Sequence, residues 1–305
     1  MRSAFVKTLC GLASENSKIV LLTGDLGYLA LEPFVEKFPD RFFNVGVAEQ
    51  NMLGIATGLA DSGFIPYVYS ITPFVVLRPY EFIRNGPIYH RLPVRIVGVG
   101  GGFEYSTNGI SHYGLEDIGV MRIQPEIAVV APADSQQTIT CFRTMNDFPG
   151  SVYFRIGKDD KKIVSGLNGS FALDNIPIIR KGKDLLLLTT GSISSSVPSI
   201  AETLEKEGIS STVGVVSVFS PPPKQALIGL LKQFSAVVTI EAHYITGGLG
   251  SLVSEIIAEN GISCKLKRCG VTRQPDGRTG SQDFMHSIHN LSPELIVQAC
   301  LATSR

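Results

Sequence analysis

Short, uninterrupted runs of apolar residues recur along this chain, and most are followed by a stretch with helical spacing. A strand that is buried on both faces needs such a run, whereas a strand with one wet face alternates polar and apolar residues. Strands separated by helices of about 10–15 residues are typical of βαβ units and of parallel sheets. The pattern therefore predicts an α/β fold with strands at 18–23, 65–70, 93–99, 126–131, 151–156, 184–189, 212–217, 236–240 and 262–267.

The rhythm of strands and helices breaks once, in a charged and then Gly/Ser-rich stretch at 161–182. Such a polar stretch is typical of a linker, here with an extended arm. The 305 residues suffice for two domains with buried cores. We expect two α/β domains, 1–160 and 183–305, each with a mainly parallel sheet flanked by helices. Helices are predicted at 3–14, 49–61, 75–85, 115–122, 134–146, 195–207, 223–232, 248–260 and 292–302.

Charge, apolar runs and cysteines limit the class of protein. Lys+Arg and Asp+Glu both number 27, so the net charge of zero gives no electrostatic reason for a nucleic acid or membrane partner. The sequence has no signal-peptide stretch and no apolar run of about 18 residues. Its five cysteines are scattered, without the spacing of a zinc ribbon. These features predict a cytoplasmic protein with reduced thiols.

One carboxylate, Glu49, stands at the start of the helix predicted over 49–61. An acid in the first turn of a helix is favoured by the helix dipole, so a structural cap is one interpretation. The residues that follow are small and apolar, and we expect them to be packed on all sides. A carboxylate drawn into such surroundings needs a partner or a catalytic role. From the residues alone both interpretations stay open.

Other segments also allow a structural and a functional interpretation. The stretch TPFVVLRPYEFIRN (72–85) reads as an amphipathic helix with core aromatics, and GVGGG (98–102) as a tight turn or an anion-binding loop. His112 lies in a polar, turn-rich segment, which is an unusual place for a core histidine. Arg155 ends a strand at the edge where α/β sheets bind ligands, with a surface salt bridge as the alternative.

Four segments in a fixed order resemble the C-terminal half of the transketolase family, whose members are thiamine-diphosphate enzymes. The likeness extends along almost the whole chain, and the four segments read VAEQNMLGIATGLADSGFIPYVYSITPF, GISHYGLEDIGVMRIQPEIAVVAPAD, VYFRIGK and EAHYITGGLGSLVSEII. In that family a pyrimidine-binding domain precedes a C-terminal α/β domain. The resemblance therefore implies a pyrimidine-binding domain at 1–160 and a transketolase C-terminal domain at 183–305.

The resemblance implies a catalytic and cofactor-binding role for Glu49. In the family a carboxylic group hydrogen-bonded to pyrimidine N1′ relays the proton that lets the cofactor's own 4′-amino group deprotonate its thiazolium C2. Phe74 matches an aromatic residue that covers the aminopyrimidine ring. Arg78 is grouped with the cofactor-binding residues, in a segment that, with Tyr80 and Glu81, resembles the dimer interface of split transketolases.

The resemblance also implies substrate-binding residues. His112 matches a histidine of the substrate channel that contacts the donor or moves a proton, and Arg155 matches an arginine that binds the sugar phosphate. Two positions depart from the family: Asn108 stands where an Asp is usual, and Gly100 stands where another histidine is usual. These departures make an unusual donor sugar plausible. The form GISHYGLEDI resembles transketolase-like subunits that serve sugar modification.

The metal half of a thiamine site is missing from the sequence. The family holds Mg²⁺ with oxygen ligands from a GDG motif and an Asn about two dozen residues later. This chain has GDLG at 24–27 but no GDG, and we expect no diphosphate domain ahead of residue 1. We therefore expect no metal ligand on this chain. Thiamine diphosphate and Mg²⁺ would be completed by an N-terminal diphosphate-binding subunit, in a heterotetramer that self-associates through the C-terminal half.

The resemblance favours transfer of a two-carbon ketol unit between sugars or sugar phosphates. Two alternatives share the fold. One is the beta subunit of a 2-oxoacid dehydrogenase or a deoxyxylulose-phosphate-synthase-like enzyme, which would release CO₂ from a 2-oxo acid. The other is a non-catalytic binding subunit, which Asn108 and Gly100 favour and Glu49 opposes, since a buried acid without a cofactor is destabilising.

Overall fold

A computed structural model describes residues 1–304, which form two sheets flanked by helices. The strands are β1 (Ile19–Thr23), β2 (Phe42–Asn44), β3 (Ile65–Ile71), β4 (Arg95–Val99), β5 (Ile127–Val130), β6 (Ser151–Ile156), β7 (Ile178–Arg180), β8 (Leu185–Thr189), β9 (Ser211–Val215), β10 (Val218–Ser220), β11 (Ala236–Tyr244) and β12 (Lys265–Val271). The helices are α1 (Arg2–Glu15), α2 (Glu32–Lys37), α3 (Glu49–Asp61), α4 (Thr72–Val76), α5 (Tyr80–Ile83), α6 (Asp117–Arg122), α7 (Ser135–Met145), α8 (Val197–Lys206), α9 (Lys224–Leu231), α10 (Leu249–Glu259), α11 (Gln282–Ile288) and α12 (Pro293–Ser304).

Both sheets are mainly parallel, as the sequence predicts. The first has seven strands in the order β10-β5-β6-β4-β3-β1-β2, and only its edge strand β10 runs antiparallel. The second has five strands in the order β12-β11-β8-β9-β7, with β7 antiparallel at its edge. Every residue of β1, β4, β5, β6, β8 and β9 is buried, which explains why these strands read as continuous apolar runs. The α/β prediction is confirmed.

The boundary between the two units differs from a simple linker. β7 lies inside the segment 161–182 and pairs with β9, so that segment contributes an edge strand to the second sheet. β10 lies well inside the second half of the sequence, yet it pairs with β5 of the first sheet. An apolar cluster also continues from Ile127 to Phe219 and Leu249. The two units therefore share both hydrogen bonds and core.

The helix predicted over 75–85 is wrong as a single element. The chain forms α4, then α5, and then a π-helical turn at Arg84–Ile88. Pro79 separates α4 from α5, because a proline ring clashes with the preceding helical turn and has no N–H to donate. Arg78 therefore lies between the two helices, while Phe74 lies within α4.

The expectation that α3 is packed on all sides is also wrong for this chain. Met52, Leu53 and Ala56 are fully buried, but Gly54 and Gly58 lie on an exposed face. A helix that rests on a sheet buries one stripe only, and small residues on the other stripe give no indication in the sequence of which side is open. One face of the helix that begins at Glu49 is thus uncovered.

Among residues 1–304, none of the helices combines the length and the apolarity needed to cross a bilayer.

Candidate active site

Glu49 is the first residue of α3, at the carboxyl edge of the first sheet. Its side chain is only 3% exposed. Gly24, directly after β1, lies against it: a Cβ added there would stand 3.2 Å from the Gly46 carbonyl oxygen and 3.7 Å from Glu49 Oε1. The glycine therefore leaves room beside the carboxylate. Within residues 1–304, the hydrogen bonds of this carboxylate come from Arg78 and not from the N–H groups of α3.

Arg78 is the partner of Glu49. Its Nη1 donates to Glu49 Oε1 at 2.9 Å and to Oε2 at 3.0 Å. The guanidinium also lies over the ring of Phe74, with Cζ 3.9 Å from the ring centroid. In contrast to Glu49, the Arg78 side chain is 44% exposed. The buried carboxylate is thus compensated by a cation that reaches it from the surface.

Phe74 and His112 extend the site away from Glu49. Their rings meet edge to face, with centroids 4.9 Å apart. Ser111 Oγ lies 3.0 Å from His112 Nδ1. Burial, and secondarily the charge of Arg78, lower the pKa of His112 below its ordinary value. At neutral pH the imidazole is therefore uncharged, and a neutral imidazole can both accept and donate a proton.

Tyr105 is a site neighbour that sequence reasoning missed. Its ring lies 6.3 Å from that of His112, and Lys158 Nζ lies 4.7 Å from its centroid. Gly100 makes this possible: at φ +81° it has no side chain, and a Cβ there would stand 2.2 Å from Tyr105 ring atoms. The tyrosine ring therefore fills space next to the position where the family has a histidine. The only signal in the sequence was that Gly100, which has no side chain, is closely followed by the aromatic Tyr105.

Arg155 lies beside the site and forms a buried salt bridge, not the surface salt bridge that was the alternative interpretation of the sequence. It is 5% exposed, and its Nε donates to Asp117 Oδ2 at 2.9 Å. Its Nη2 donates to the carbonyl oxygens of Gly114 (2.9 Å) and Ala242 (2.8 Å). Gly101 is required here, because a Cβ would stand 2.5 Å from the guanidinium carbon. These contacts favour the tight-turn interpretation of GVGGG, and they occupy Nε and Nη2 of the guanidinium. Phosphate binding by Arg155 stays a prediction.

Asn108 is exposed, and its Oδ1 accepts a hydrogen bond from Thr107 Oγ1 at 3.3 Å. It ends a short 3-10 turn that precedes the turn of His112. A role for it in donor recognition stays a prediction.

A second buried polar group lies where the two sheets meet. Glu241 is fully buried in β11, and its carboxylate accepts the N–H groups of Leu249 (2.7 Å) and Gly250 (2.8 Å) at the start of α10. Burial raises the pKa of Glu241 to about 7. His243 accepts the Gly119 N–H at Nε2, and burial lowers its pKa to about 4. The sequence signal was a pair of titratable residues inside an apolar strand.

The residues around Glu49 fit an aminopyrimidine ring. A carboxyl group whose partner reaches it from the surface can share a proton with a ring nitrogen, Phe74 offers an aromatic face, and Gly24 adds no side chain. For a metal the result differs. Among residues 1–304, no group of three or more His, Cys, Asp or Glu side chains is placed to hold an ion.

Comparisons with known proteins match both parts of the chain. Residues 1–162 match the family model of the transketolase pyrimidine-binding domain, and residues 174–296 match the transketolase C-terminal domain. A Methanocaldococcus jannaschii protein described as a transketolase C-terminal section is 36% identical over 98% of this chain and 94% of its own length. A 6-deoxy-6-sulfo-D-fructose transketolase subunit of a Clostridium species is 33% identical over 98% of this chain and 92% of its own length.

The structure is also similar to a solved one. It superimposes with a TM-score of 0.90 on a chain described as a split gene transketolase in an inactive beta4 tetramer. The two share 32% identity over 100% of this chain and 99% of the other.

Proposed function

This chain belongs to the transketolase family, and from that premise we propose that it is the C-terminal subunit of a split transketolase. With thiamine diphosphate it transfers a two-carbon ketol unit between sugars or sugar phosphates. The observation that carries the proposal is the buried Glu49 carboxylate beside Phe74, at the start of α3. The similarity to a solved split transketolase over the whole chain supports it.

The cofactor, when bound, supplies a nucleophilic carbon and an electron sink for cleaving a carbon–carbon bond. When the cofactor is bound, the carboxyl group of Glu49 would pair with its pyrimidine N1′, give a proton to that nitrogen and take it back. Phe74 covers one face of that ring and keeps water from it. His112 stands beside Phe74, where a neutral imidazole can hydrogen-bond a donor hydroxyl and move its proton. Asn108 and Tyr105 line the outer part of this channel, where they influence the choice of donor.

The partners follow from the half of the site that this chain contains. A separate N-terminal subunit supplies the diphosphate-binding residues and the oxygen ligands of Mg²⁺. Self-association is supported by the similar solved split transketolase, which is a beta4 tetramer, and by the uncovered face of α3. All five cysteines are free thiols, which supports a cytoplasmic location.

The experiment that tests the proposal is Glu49→Gln in the complex assembled with the partner subunit. Gln keeps the size of the side chain and still hydrogen-bonds the pyrimidine, but it cannot take up and return a proton. We expect the C2 proton exchange of bound thiamine diphosphate to fall by orders of magnitude, as for removal of a proton relay worth ~3–5 kcal/mol. Cofactor affinity should weaken only modestly.

A structural cap predicts a different result. Near-normal C2 exchange in Glu49→Gln, with a stability loss of about 0.5–1 kcal/mol, would show that Glu49 only caps α3. Glu294→Gln is the matched control, since Glu294 is an exposed acid in the first turn of α12. It should leave C2 exchange unchanged. Proton exchange followed by NMR, together with thermal unfolding, distinguishes these outcomes.

A further inference from the structure

Arg78 makes the two contacts that an aminopyrimidine would make in this site. One is the hydrogen-bonded pair with both oxygens of Glu49, and the other is the guanidinium over the ring of Phe74 at 3.9 Å. A guanidinium and an aminopyrimidine are alike in being flat and delocalised, and both can pair with a carboxyl group and stack on an aromatic ring. The same carboxyl group and the same aromatic face therefore cannot serve both at once.

The geometry of the pair shows which side can move. A strong arginine–carboxylate pair uses two nitrogens in two parallel hydrogen bonds. Here one nitrogen, Nη1, is shared between both oxygens of Glu49. The Arg78 side chain is 44% exposed while Glu49 is 3% exposed, so Arg78 can return to water and Glu49 cannot. Its position just before Pro79, between α4 and α5, places it on the interrupted part of this segment.

We infer that Arg78 is a positioning residue that occupies the aminopyrimidine site of the free chain and is displaced when the cofactor enters. The inference rests on the proposed function, because Glu49 and Phe74 must be the groups that bind the pyrimidine. Arg78 keeps the buried carboxylate compensated and correctly oriented until then. It also makes the free subunit a poor binder of thiamine compounds, since each binding event must first break the Arg78–Glu49 pair.

If Arg78 occupies the site, removing its side chain should increase the affinity of the chain for thiamine. The apparent dissociation constant of a ligand is larger than the intrinsic one by the inverse of the fraction of protein that is open. An exposed cation paired with a buried carboxylate holds that fraction low. Removing the cation makes every molecule open and leaves Glu49 in need of a partner that the ligand can supply. A direct cofactor-binding role for Arg78, as the sequence suggested, predicts a decrease in affinity instead.

The test measures thiamine binding to the isolated full chain by titration calorimetry. Thiamine, without its diphosphate, is the probe because its binding does not depend on the metal-binding partner. We expect Arg78→Ala and Arg78→Gln to bind thiamine at least tenfold more tightly than wild type. Arg78→Lys, which keeps a cation near Glu49, should restore much of the wild-type weakness.

Arg84→Ala is the matched control. Arg84 is an exposed arginine six residues further along, and its hydrogen bond goes to the neighbouring Asn85 and not to Glu49. The substitution removes the same charge from the same surface and should leave thiamine affinity unchanged. An equal gain in Arg84→Ala would mean that overall charge, and not displacement, sets the affinity, which would overturn the inference.

Two results separate failure of the inference from failure of the proposed function. If Arg78→Ala and Arg78→Gln bind thiamine no better than wild type, Arg78 does not occupy the site and the inference is wrong. The double variant Glu49→Ala/Arg78→Ala tests the premise, because it removes the group that pairs with the pyrimidine and should lose most of the gain in affinity. If this double variant binds as tightly as Arg78→Ala, Glu49 does not pair with the pyrimidine, and the proposed function fails as well.

Discussion

At the scale of single residues, the charge of Arg78 acts on both neighbours with which it shares the site. It compensates Glu49 through a hydrogen-bonded pair, and it disfavours protonation of His112. The order of the chain does not reveal this coupling, because Glu49 and His112 are separated by many residues and by β3 and β4. Glu49 and His112 are therefore coupled through the charge of Arg78.

The coupling gives a prediction for the titration of His112. Its pKa should lie below 6.5 in the wild-type chain, because burial disfavours the charged imidazole and Arg78 adds to the effect. Arg78→Met removes the second cause but not the first. The pKa of His112 should then rise while staying below 6.5. NMR titration of the imidazole protons measures this, and an unchanged pKa in Arg78→Met would mean that the two side chains are not close in solution.

At the scale of elements, the start of α10 is capped from another strand. Glu241 of β11 accepts the first two N–H groups of the helix, which a local side chain would usually do. Gly248 is the residue that allows it, since a Cβ there would stand 2.0 Å from Glu241 Oε2 and 2.7 Å from His243 Nδ1. The hydrogen bonds between Glu241 of β11 and the start of α10 therefore require glycine at position 248.

We expect Gly248→Ala to lower the free energy of unfolding by about 2 kcal/mol or more, because the added methyl group displaces the Glu241 carboxylate from buried N–H groups. Gly229→Ala is the matched control, since Gly229 lies within α9 with nothing within 4 Å of its added Cβ. It should raise stability by roughly 0.5–1 kcal/mol, as for glycine in a helix interior. Chemical denaturation measures both, and equal effects of the two substitutions would contradict the capping.

At the scale of the whole molecule, the two sheets are joined as one folding unit. β10 completes the first sheet from within the second half of the sequence, and Arg155 of β6 donates to the Ala242 carbonyl in β11. A fragment of residues 1–162 would lose both. The edge of β5 would then expose unpaired backbone groups, which favours self-association.

We therefore expect the fragment 1–162 to aggregate or to unfold at a markedly lower temperature than the full chain. Co-expression with residues 163–305 is the control and should restore a folded complex, since it returns β10 and Ala242. Size-exclusion chromatography and thermal unfolding measure the outcome. A monomeric fragment as stable as the full chain would show that the two units fold independently.

The junction between the sheets also makes stability depend on pH. Burial holds the pKa of His243 at about 4, below its unfolded value of about 6.5, so between these values the unfolded chain binds more protons. The stability that neutral His243 contributes is complete above the unfolded pKa and is lost as the pH falls toward 4. Glu241, with its pKa raised to about 7, has the opposite sign: its contribution is complete below its unfolded pKa and is lost as the pH rises toward 7.

His243 and Glu241 make the free energy of unfolding change with pH in opposite directions. The variant His243→Gln removes the contribution of His243 and leaves that of Glu241. It should lose less stability than wild type between pH 6.5 and pH 4, by on the order of 1–3 kcal/mol. Denaturation series at several pH values for both proteins measure the difference. Parallel curves would mean that His243 titrates alike in the folded and unfolded chains.

The sequence by itself determined the α/β class, the position of most strands and the identity of the candidate acid. Strands that are buried on both faces can be recognised in the sequence, because burial on both faces requires a continuous apolar run. Glu49 can be recognised because it is a lone carboxylate at the start of an apolar helix. The short elements α2, β10 and α11 were missed, because brief segments carry too little periodicity.

Only the tertiary structure decided what surrounds each candidate. It placed Arg78 on Glu49 and Phe74, put Tyr105 in the space left by Gly100, and buried Arg155 against Asp117. The Arg78–Glu49 and Arg155–Asp117 contacts join residues that are distant in the sequence. Sequence spacing fixes which face of an element a side chain occupies, but the approach of one loop to another depends on how the whole chain packs. For that reason the sequence indicated which residues could carry the chemistry of the site, but it did not indicate that Arg78 pairs with Glu49.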